Sequence, residues 1–321
     1  MKSHPPRKFD VNESSFSKEE IQQVFKKDGA VVLTNLFPLD SSSWQSIAAE
    51  VPHLVWESKD LLLQHHRADA VHEEHQKLSL AGEALHPHSD GYIWGDKFPD
   101  LVILVCEEPA GENQGANYLI DGYDVLARLD RTKKDFLEKT LVDHTERSDT
   151  AYVNGAESIV PVIRWLEPKG WRQNETENRE TSRCLCWRRM IGKDFAGKQV
   201  EDKETGEVRY ASLWAPIQES TDKKAVKEVL HDLDRAIAAE GHESLRFTLA
   251  KGEALIVDNY RMLHSREAFH GLDHRRRMWR IWSWTSASFG LPPQVIASNE
   301  NKESNLPSNI LDAEKSILAE A

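Results

Sequence analysis

The sequence predicts a mainly β protein with flanking helices, and two observations support this. Short segments rich in apolar residues have the length of buried strands, and polar or turn-forming residues bound each of them: 30–33, 101–106, 254–257 and 278–284. Between residues 222 and 239 apolar residues recur at helical spacing with charges on the other face, which predicts an amphipathic helix. No internal repeat or linker interrupts the chain, so we expect a single domain.

The ends of the chain are polar and are expected to lie outside that domain. We expect residues 1–16 to form a flexible N-terminal arm, residues 17–297 to form the domain, and residues 298–321 to form a polar C-terminal tail. The domain should open with a helix for which Ser17 is the N-cap and Glu20 completes a capping box.

Two further segments carry specific expectations. Between Trp44 and Ala70 the pattern predicts a broken helical region, and the helix at 222–239 should end before Gly241. Histidines at 65–66, 72 and 75 lack the spacing of the helical zinc-protease motif, so we expect them on a charged, solvated helix face. A polar stretch from 172 to 182 predicts a mobile loop.

Composition excludes several classes of protein. The chain has 321 residues, a formal charge of −12 and three cysteines. Such an acidic chain does not predict a nucleic-acid partner, and three cysteines cannot build a disulfide framework. The start lacks the apolar core of a signal peptide, and the apolar run at 101–106 is too short to cross a membrane. We expect a soluble cytoplasmic protein without a membrane partner, and a homo-oligomer is left open.

A possible metal site is visible in His88-Ser89-Asp90 and in His264. Side chains alternate along an extended segment, so His88 and Asp90 should point to the same side. His264 follows a predicted strand and a turn-like segment that could bring it close to them. Two imidazoles and one carboxylate can hold ferrous iron in a facial site with open positions. From these residues alone, the alternative is that they are ordinary polar residues at strand ends.

A possible anion site is visible in the basic run Arg275-Arg276-Arg277 and the strand after it. Alternation places five residues on one face of that strand: Arg276, Met278, Arg280, Trp282 and Trp284. A buried arginine is costly unless an anion meets it, so this face predicts a pocket for a dicarboxylate or a similar anion. The alternative is an exposed basic patch. Because the three arginines are consecutive, Arg275 or Arg277 could take the place of Arg276.

Several motifs in the same order carry a resemblance to a known family: Gly29-Ala30-Val31-Val32-Leu33, His88-Ser89-Asp90-Gly91, Pro99-Asp100-Leu101, Gly115 to Gly122, Asp258 to Arg266 and the Arg276 segment. Over roughly residues 20 to 290 the chain resembles the iron(II)- and 2-oxoglutarate-dependent oxygenases of the taurine dioxygenase and gamma-butyrobetaine hydroxylase superfamily. The resemblance implies a double-stranded β-helix, a jelly roll of the clavaminate synthase-like kind with helices packed outside.

The same resemblance implies the roles of site residues. His88, Asp90 and His264 would hold Fe(II), and dioxygen would be the oxidant. Arg276 would bind the distal carboxylate of 2-oxoglutarate, and Asn117 would contact the same co-substrate. Gln114-Gly115-Ala116 departs from the two glycines common in the family. The cysteine cluster of the zinc module of gamma-butyrobetaine hydroxylase is absent from the sequence, which argues against a carnitine-pathway role.

We therefore expect a 2-oxoglutarate-dependent dioxygenase that hydroxylates an unactivated C–H bond of a small molecule, such as an amino acid or a similar carboxylate. Tyr92 and Trp94 could line the substrate pocket or pack beneath a lid, and Arg280 stands where relatives hold an anionic substrate group. Desaturation or cyclisation is the alternative outcome of the same iron chemistry. A non-catalytic jelly-roll protein that binds a small acid and a metal-dependent hydrolase are the alternative classes.

Overall fold

Two β-sheets of unequal size form the frame of the protein. The computed structural model describes the following residues: 5–37, 43–70, 84–91, 94–110, 114–143, 159–172, 183–187, 199–201, 208–210, 223–269, 276–293 and 295–296. Over these residues the protein is rich in β-strands with helices beside them, as the sequence predicts.

In chain order the described strands are β1 (Arg7–Asp10), β2 (Ala30–Thr34), β3 (Leu61–Ala70), β4 (Leu85–His88), β5 (Leu101–Glu108), β6 (Asn117–Asp121), β7 (Leu141–Asp143), β8 (Ile159–Pro161), β9 (Ile163–Trp165), β10 (Arg183–Leu185), β11 (Gln199–Glu201), β12 (Val208–Tyr210), β13 (Ala254–Asp258), β14 (Met262–Arg266) and β15 (Arg277–Thr285). The described α-helices are α1 (Lys18–Asp28), α2 (Trp44–Glu50), α3 (Gly122–Ala127), α4 (Arg131–Leu137) and α5 (Lys223–Glu243). Short 3₁₀ helices occupy Val51–Leu54 and Gly170–Arg172. Among the described helices, none is both long and apolar enough to span a membrane.

The larger sheet has six strands in the order β1-β2-β13-β5-β15-β3. Its neighbours are antiparallel except β1 and β2, which are parallel. The four apolar segments predicted as strands are β2, β5, β13 and β15, which lie in the middle of this sheet. Central strands are covered on both faces, which explains their nearly continuous apolar sequence.

The smaller sheet has three antiparallel strands in the order β4-β14-β6. Apolar side chains from both sheets meet between them, where Leu104 and Met278 of the larger sheet join Leu119 and Met262 of the smaller one in one cluster. The opposite face of the smaller sheet packs on α5, and the opposite face of the larger sheet packs on α1 and α2. The protein therefore has helices outside and two sheets inside, with one apolar layer between the sheets.

The predicted N-cap of α1 is confirmed, and the Glu20 carboxylate of the predicted capping box pairs with Arg7. The hydroxyl of Ser17 accepts a hydrogen bond from the Glu20 backbone N–H at 3.3 Å, as an N-cap does. Gly29 ends the helix with φ 72°, and a Cβ there would lie 2.7 Å from the sulfur of Met262. Glycine is therefore required both for the left-handed turn and for the close approach of β14.

The prediction of a broken helical region from Trp44 to Ala70 is wrong over its second half. Helix α2 and a 3₁₀ turn form the first half, but residues 61–70 form β3, which pairs with β15 along its whole length. Three consecutive leucines at 61–63 fit either helical or strand periodicity, and pairing with β15 decides the outcome. His65 therefore lies on a strand, whereas His72 and His75 lie outside the described residues.

Other predicted boundaries differ from the structure or lie outside the described residues. Residues 7–10 were assigned to the flexible arm but form β1, because they pair with β2 at the sheet edge. Helix α5 continues through Gly241 to Glu243. Because Gly241 has no side chain, the helix can approach Ile120 of β6 closely. The tail at 298–321 and the polar loop at 173–182 lie outside the described residues, and the domain over residues 17–297 stays a prediction.

A buried ion pair holds the turn that follows β13. Arg172 is 1% exposed, and its guanidinium pairs with the carboxylate of Asp258. The same carboxylate accepts a hydrogen bond from the Tyr260 backbone N–H at 3.0 Å. The Asn259 backbone N–H donates to the carbonyl oxygen of Asp100 at 2.9 Å. Hydrogen bonds of the backbone and of side chains therefore both fix this turn.

Replacing Asp258 with alanine should destabilise the protein strongly, since Arg172 would keep its charge in a buried site without this carboxylate. Removing one partner of a buried pair typically costs about 3–5 kcal/mol in unfolding free energy. Thermal and urea denaturation would measure the loss. Glu20→Ala breaks the exposed pair with Arg7 and serves as the control, with a far smaller change expected. Equal midpoints for D258A and E20A would contradict this role.

Candidate metal centre

The smaller sheet brings the two predicted histidine ligands together. His88 is the last residue of β4, His264 is the central residue of β14, and the two are register partners in the antiparallel pair. Their ring centroids are 4.3 Å apart. Residues 176 positions apart in sequence thus meet because β4 and β14 pair, and Asp90 follows two residues beyond His88.

The three side chains converge on one point. Asp90 Oδ1 lies 3.3 Å from His88 Nε2, and Asp90 Oδ2 lies 3.7 Å from His264 Nε2. One potential ligand atom from each residue lies within 4.8 Å of the other two, and all three residues are buried. His88 Nδ1 donates to the carbonyl oxygen of His86 at 2.6 Å, which leaves Nε2 directed at the shared point.

The electrostatics of the three residues suit a cation. Burial raises the pKa of Asp90, but the Arg280 guanidinium and the neighbouring imidazoles outweigh it and hold the pKa well below its usual value. Burial and the charge of His88 lower the pKa of His264 to about 4. Asp90 is therefore an anion at neutral pH, and His264 keeps the free nitrogen lone pair that a metal ligand needs.

The hydrogen bonding and the types of the donor atoms also suit a metal ion. Among the described residues, neither ring nitrogen of the buried His264 has a hydrogen-bond partner. A buried polar atom without a partner is costly, and coordination to a metal would satisfy it. Two imidazoles and one carboxylate on one side of a point form the facial arrangement that suits ferrous iron.

Asn259 connects the two halves of the centre. Its side-chain oxygen accepts from the Asp90 backbone N–H at 2.8 Å, and its amide nitrogen donates to the carbonyl oxygens of Asp90 at 2.9 Å and Pro99 at 2.7 Å. Asn259 is 1% exposed and lies five positions before His264. The amide thus fixes the backbone of one ligand relative to the strand that carries another.

Two side chains of β15 bind the ligand carboxylate. Arg280 Nη1 donates to Asp90 Oδ2 at 2.8 Å, and Trp282 Nε1 donates to the same oxygen at 3.0 Å. Arg280, which the sequence analysis assigns to substrate binding, therefore contacts the predicted metal ligand directly. The predicted alternation holds for four of the five residues, since Met278, Arg280, Trp282 and Trp284 share the face turned to the smaller sheet, whereas Arg276 precedes β15.

The two predicted co-substrate residues line a common cavity. Asn117 and Arg276 border a space of about 260 Å³, together with apolar side chains that include Leu249 and Met278. The three predicted iron ligands are not among the residues that line it. Arg277 points away and pairs with Glu107 at 3.1 Å. Arg275 lies outside the described residues.

The remaining predicted substrate residues occupy different positions. Trp94 is 3% exposed and packs edge-on against Trp282 with ring centroids 4.9 Å apart. Its contact with the metal ligand therefore runs through Trp282, in agreement with the packing alternative for this residue. Tyr92 lies outside the described residues.

Two residues that the structure places at the site had no role predicted from the sequence. Asn259 and Trp282 both bind Asp90. Strand alternation carried a signal for one of them, because Trp282 follows Arg280 by two residues. No periodicity signals Asn259, which lies in a turn.

Comparisons with proteins of known structure agree on the fold. PvcB from Pseudomonas aeruginosa is 13% identical, with a TM-score of 0.53, over 88% of this chain and 87% of that chain. An asparagine oxygenase solved with Fe(II), 2S,3S-3-hydroxyasparagine and succinate is 16% identical, with a TM-score of 0.53, over 83% and 78%. The non-haem iron oxygenase OrfP, solved with Fe and alpha-ketoglutaric acid, is 12% identical, with a TM-score of 0.52, over 83% and 79%. At these low identities, the TM-scores show a shared fold alone.

Sequence comparison identifies the family. No curated protein sequence matches the chain. The family model for the taurine catabolism dioxygenase TauD, TfdA family matches residues 3–282, a span that contains every described residue of the metal centre. The resemblance found in the sequence motifs is thereby confirmed, and the protein belongs to the TauD/TfdA dioxygenase family.

Proposed function

We propose that the protein is an iron(II)- and 2-oxoglutarate-dependent oxygenase that hydroxylates an unactivated C–H bond of a small molecule. One observation carries the proposal: ligand atoms of His88, Asp90 and His264 converge within 4.8 Å in a buried site of a TauD/TfdA family chain. The iron and 2-oxoglutarate named with the structures of similar fold support the same pair of cofactors.

The residues of the chain prepare the site for iron. One imidazole nitrogen each from His88 and His264 and the ionised carboxylate of Asp90 would hold the ion and leave its remaining positions open. When bound, iron and 2-oxoglutarate together would activate dioxygen for attack on a C–H bond. The apolar layer between the two sheets, which borders the ligands, would exclude water during that reaction.

The cavity beside Asn117 and Arg276 is the proposed place of the distal end of 2-oxoglutarate. A guanidinium can hold a carboxylate through two parallel hydrogen bonds, and the side chain of Asn117 can donate another. Leu249 and Met278 supply the apolar wall that the methylene groups of the co-substrate would contact. Among the three consecutive arginines, we assign the distal carboxylate to Arg276 because Arg277 forms ion pairs with Glu107 and Glu108.

The architecture proposed for this chemistry is a double-stranded β-helix, or jelly roll. The facing sheets, their antiparallel pairing in the order β4-β14-β6 and β2-β13-β5-β15-β3, and the buried layer between them support this assignment. The metal ligands lie on or just beyond the smaller sheet and face the larger one. The site is thus built on rigid strands, which hold ligand geometry better than loops do.

The substrate proposed is an amino acid or a similar small carboxylate. Arg280 lies beside the metal ligand and could pair with an anionic group of such a molecule. Two structures of similar fold were solved in complex with hydroxylated asparagine and hydroxylated L-arginine. Trp94 supports this pocket from behind through its contact with Trp282.

An anaerobic titration with ferrous iron and 2-oxoglutarate tests the cofactor assignment. The iron chelate of the 2-oxo acid should give a weak visible charge-transfer band in the wild-type protein. His264→Ala should abolish that band because it removes one of three protein ligands. His242→Ala, which changes an exposed histidine on α5, should leave it unchanged. A wild-type protein that binds no iron would contradict the proposal.

Substitution of Arg276 tests the co-substrate site. Arg276→Gln should raise the 2-oxoglutarate concentration needed for half of the chelate band by about 10- to 100-fold, the value of a lost charge-assisted hydrogen bond. Arg277→Gln is the matched control, since that neighbour faces Glu107 and Glu108. If both variants bind 2-oxoglutarate as the wild type does, another residue holds its distal carboxylate.

A screen of amino acids tests the substrate class. The true substrate should stimulate succinate formation from 2-oxoglutarate in the iron-saturated enzyme. Arg280→Leu should then raise the Michaelis constant of that amino acid far more than that of 2-oxoglutarate, because it removes a cation near the metal. Equal increases in both constants would argue that Arg280 acts on the metal ligand alone.

A further inference from the structure

The carboxylate of Asp90 is held asymmetrically. Its Oδ2 accepts two hydrogen bonds from β15, one from Arg280 Nη1 at 2.8 Å and one from Trp282 Nε1 at 3.0 Å. Its other oxygen, Oδ1, lies 3.3 Å from His88 Nε2, and Oδ2 lies 3.7 Å from His264 Nε2. With two N–H groups on Oδ2, Oδ1 is the oxygen left to face a cation.

We propose that Trp282 is a positioning residue for the metal centre, which with Arg280 makes Asp90 a ligand through Oδ1 only. This inference rests on the proposed function, because it requires a divalent metal at the three ligands. A carboxylate that binds through one oxygen occupies one coordination position and leaves another vacant for small molecules. Hydrogen bonds on the second oxygen are what hold a carboxylate in that mode.

The fold gives Trp282 little freedom to move away from Asp90. Its indole is 5% exposed and packs against Trp94, with centroids 4.9 Å apart, and against His65, with centroids 5.7 Å apart. His65 is the register partner of Trp282 on β3, and Val102 is its partner on β5. Pairing with the strands on both sides therefore fixes the position of the Trp282 indole relative to the Asp90 carboxylate.

The two donors act differently. The Arg280 guanidinium contributes charge, and its long side chain has several rotatable bonds. The Trp282 indole contributes one neutral N–H on a rigid ring in a packed cluster, so its direction is fixed. Arg280 therefore balances the carboxylate charge, while Trp282 sets the rotation of the carboxylate about its Cβ–Cγ bond.

The chain offers a matched control on the same strand. Trp279 is on the opposite face of β15, and its Nε1 donates to the carboxylate of Glu107 at 2.9 Å. Trp282→Phe and Trp279→Phe each remove one indole N–H from a carboxylate and keep an aromatic ring. They differ in that only Trp282 bonds a proposed metal ligand.

The experiment titrates each protein with Co(II) alone, whose visible bands report the number and geometry of its ligands. W282F should raise the dissociation constant by about 10-fold or more, the usual effect of losing a partner of a metal ligand, and should shift the bands. W279F should keep both near the wild-type values. Thermal denaturation without metal shows whether each variant is folded.

The outcomes separate this inference from the proposed function. Failure of the wild-type protein to bind Co(II) or Fe(II) contradicts the proposed function and this inference with it. Metal binding by the wild type with the same constant and bands in W282F overturns this inference alone, as does an equal change in W279F. If W282F does not fold, Arg280→Gln carries the test, since it removes the other donor to Oδ2. Unchanged metal affinity in R280Q would then overturn the inference.

Discussion

The amide of Asn259 is the interaction that ties the parts of the candidate metal centre together. It bonds the backbone N–H and the carbonyl oxygen of Asp90, and it also bonds the carbonyl oxygen of Pro99. Asp90 follows β4 in the chain but belongs to no strand, so the ladder between β4 and β14 does not reach it. Without this amide, the ligand carboxylate would depend on its own side-chain contacts for its place. The buried ion pair between Asp258 and Arg172 fixes the turn that carries Asn259.

Buried charge explains much of the surrounding structure. Asp90 is 5% exposed, and an ionised carboxylate at that depth requires cations and N–H donors. Arg280 and Trp282 supply them from β15, which lies between β5 and β3 in the larger sheet. The larger sheet therefore does more than cover the site, because it contributes the charge balance of Asp90, which follows strand β4 of the smaller sheet in the chain. A metal ion would complete that balance.

Sequence periodicity predicted the central strands well and the edge strand poorly. Strands β2, β5, β13 and β15 are buried on both faces, so their apolar runs identify them without any knowledge of neighbours. Strand β3 lies at an edge and mixes leucines with histidines, and its strand conformation follows from pairing with β15. Local pattern carries no information about that partner. The same holds for residues 7–10, which form a strand because they pair with β2.

The sequence by itself predicted the kinds of ligand and their order: the residue types of His88, Asp90 and His264 suit iron, and the family resemblance assigns them the role of ligands. It also determined that alternate residues of β15 share a face, since side chains alternate in any strand. Only the tertiary structure decided which surroundings each arginine has. The register of β15 against β5 shifts between Arg277 and Met278, and this places Arg277 near glutamates while Arg276 borders the cavity with Asn117. It also placed Arg280 and Trp282 on Asp90, since a contact between residues 190 positions apart depends on how two sheets face each other.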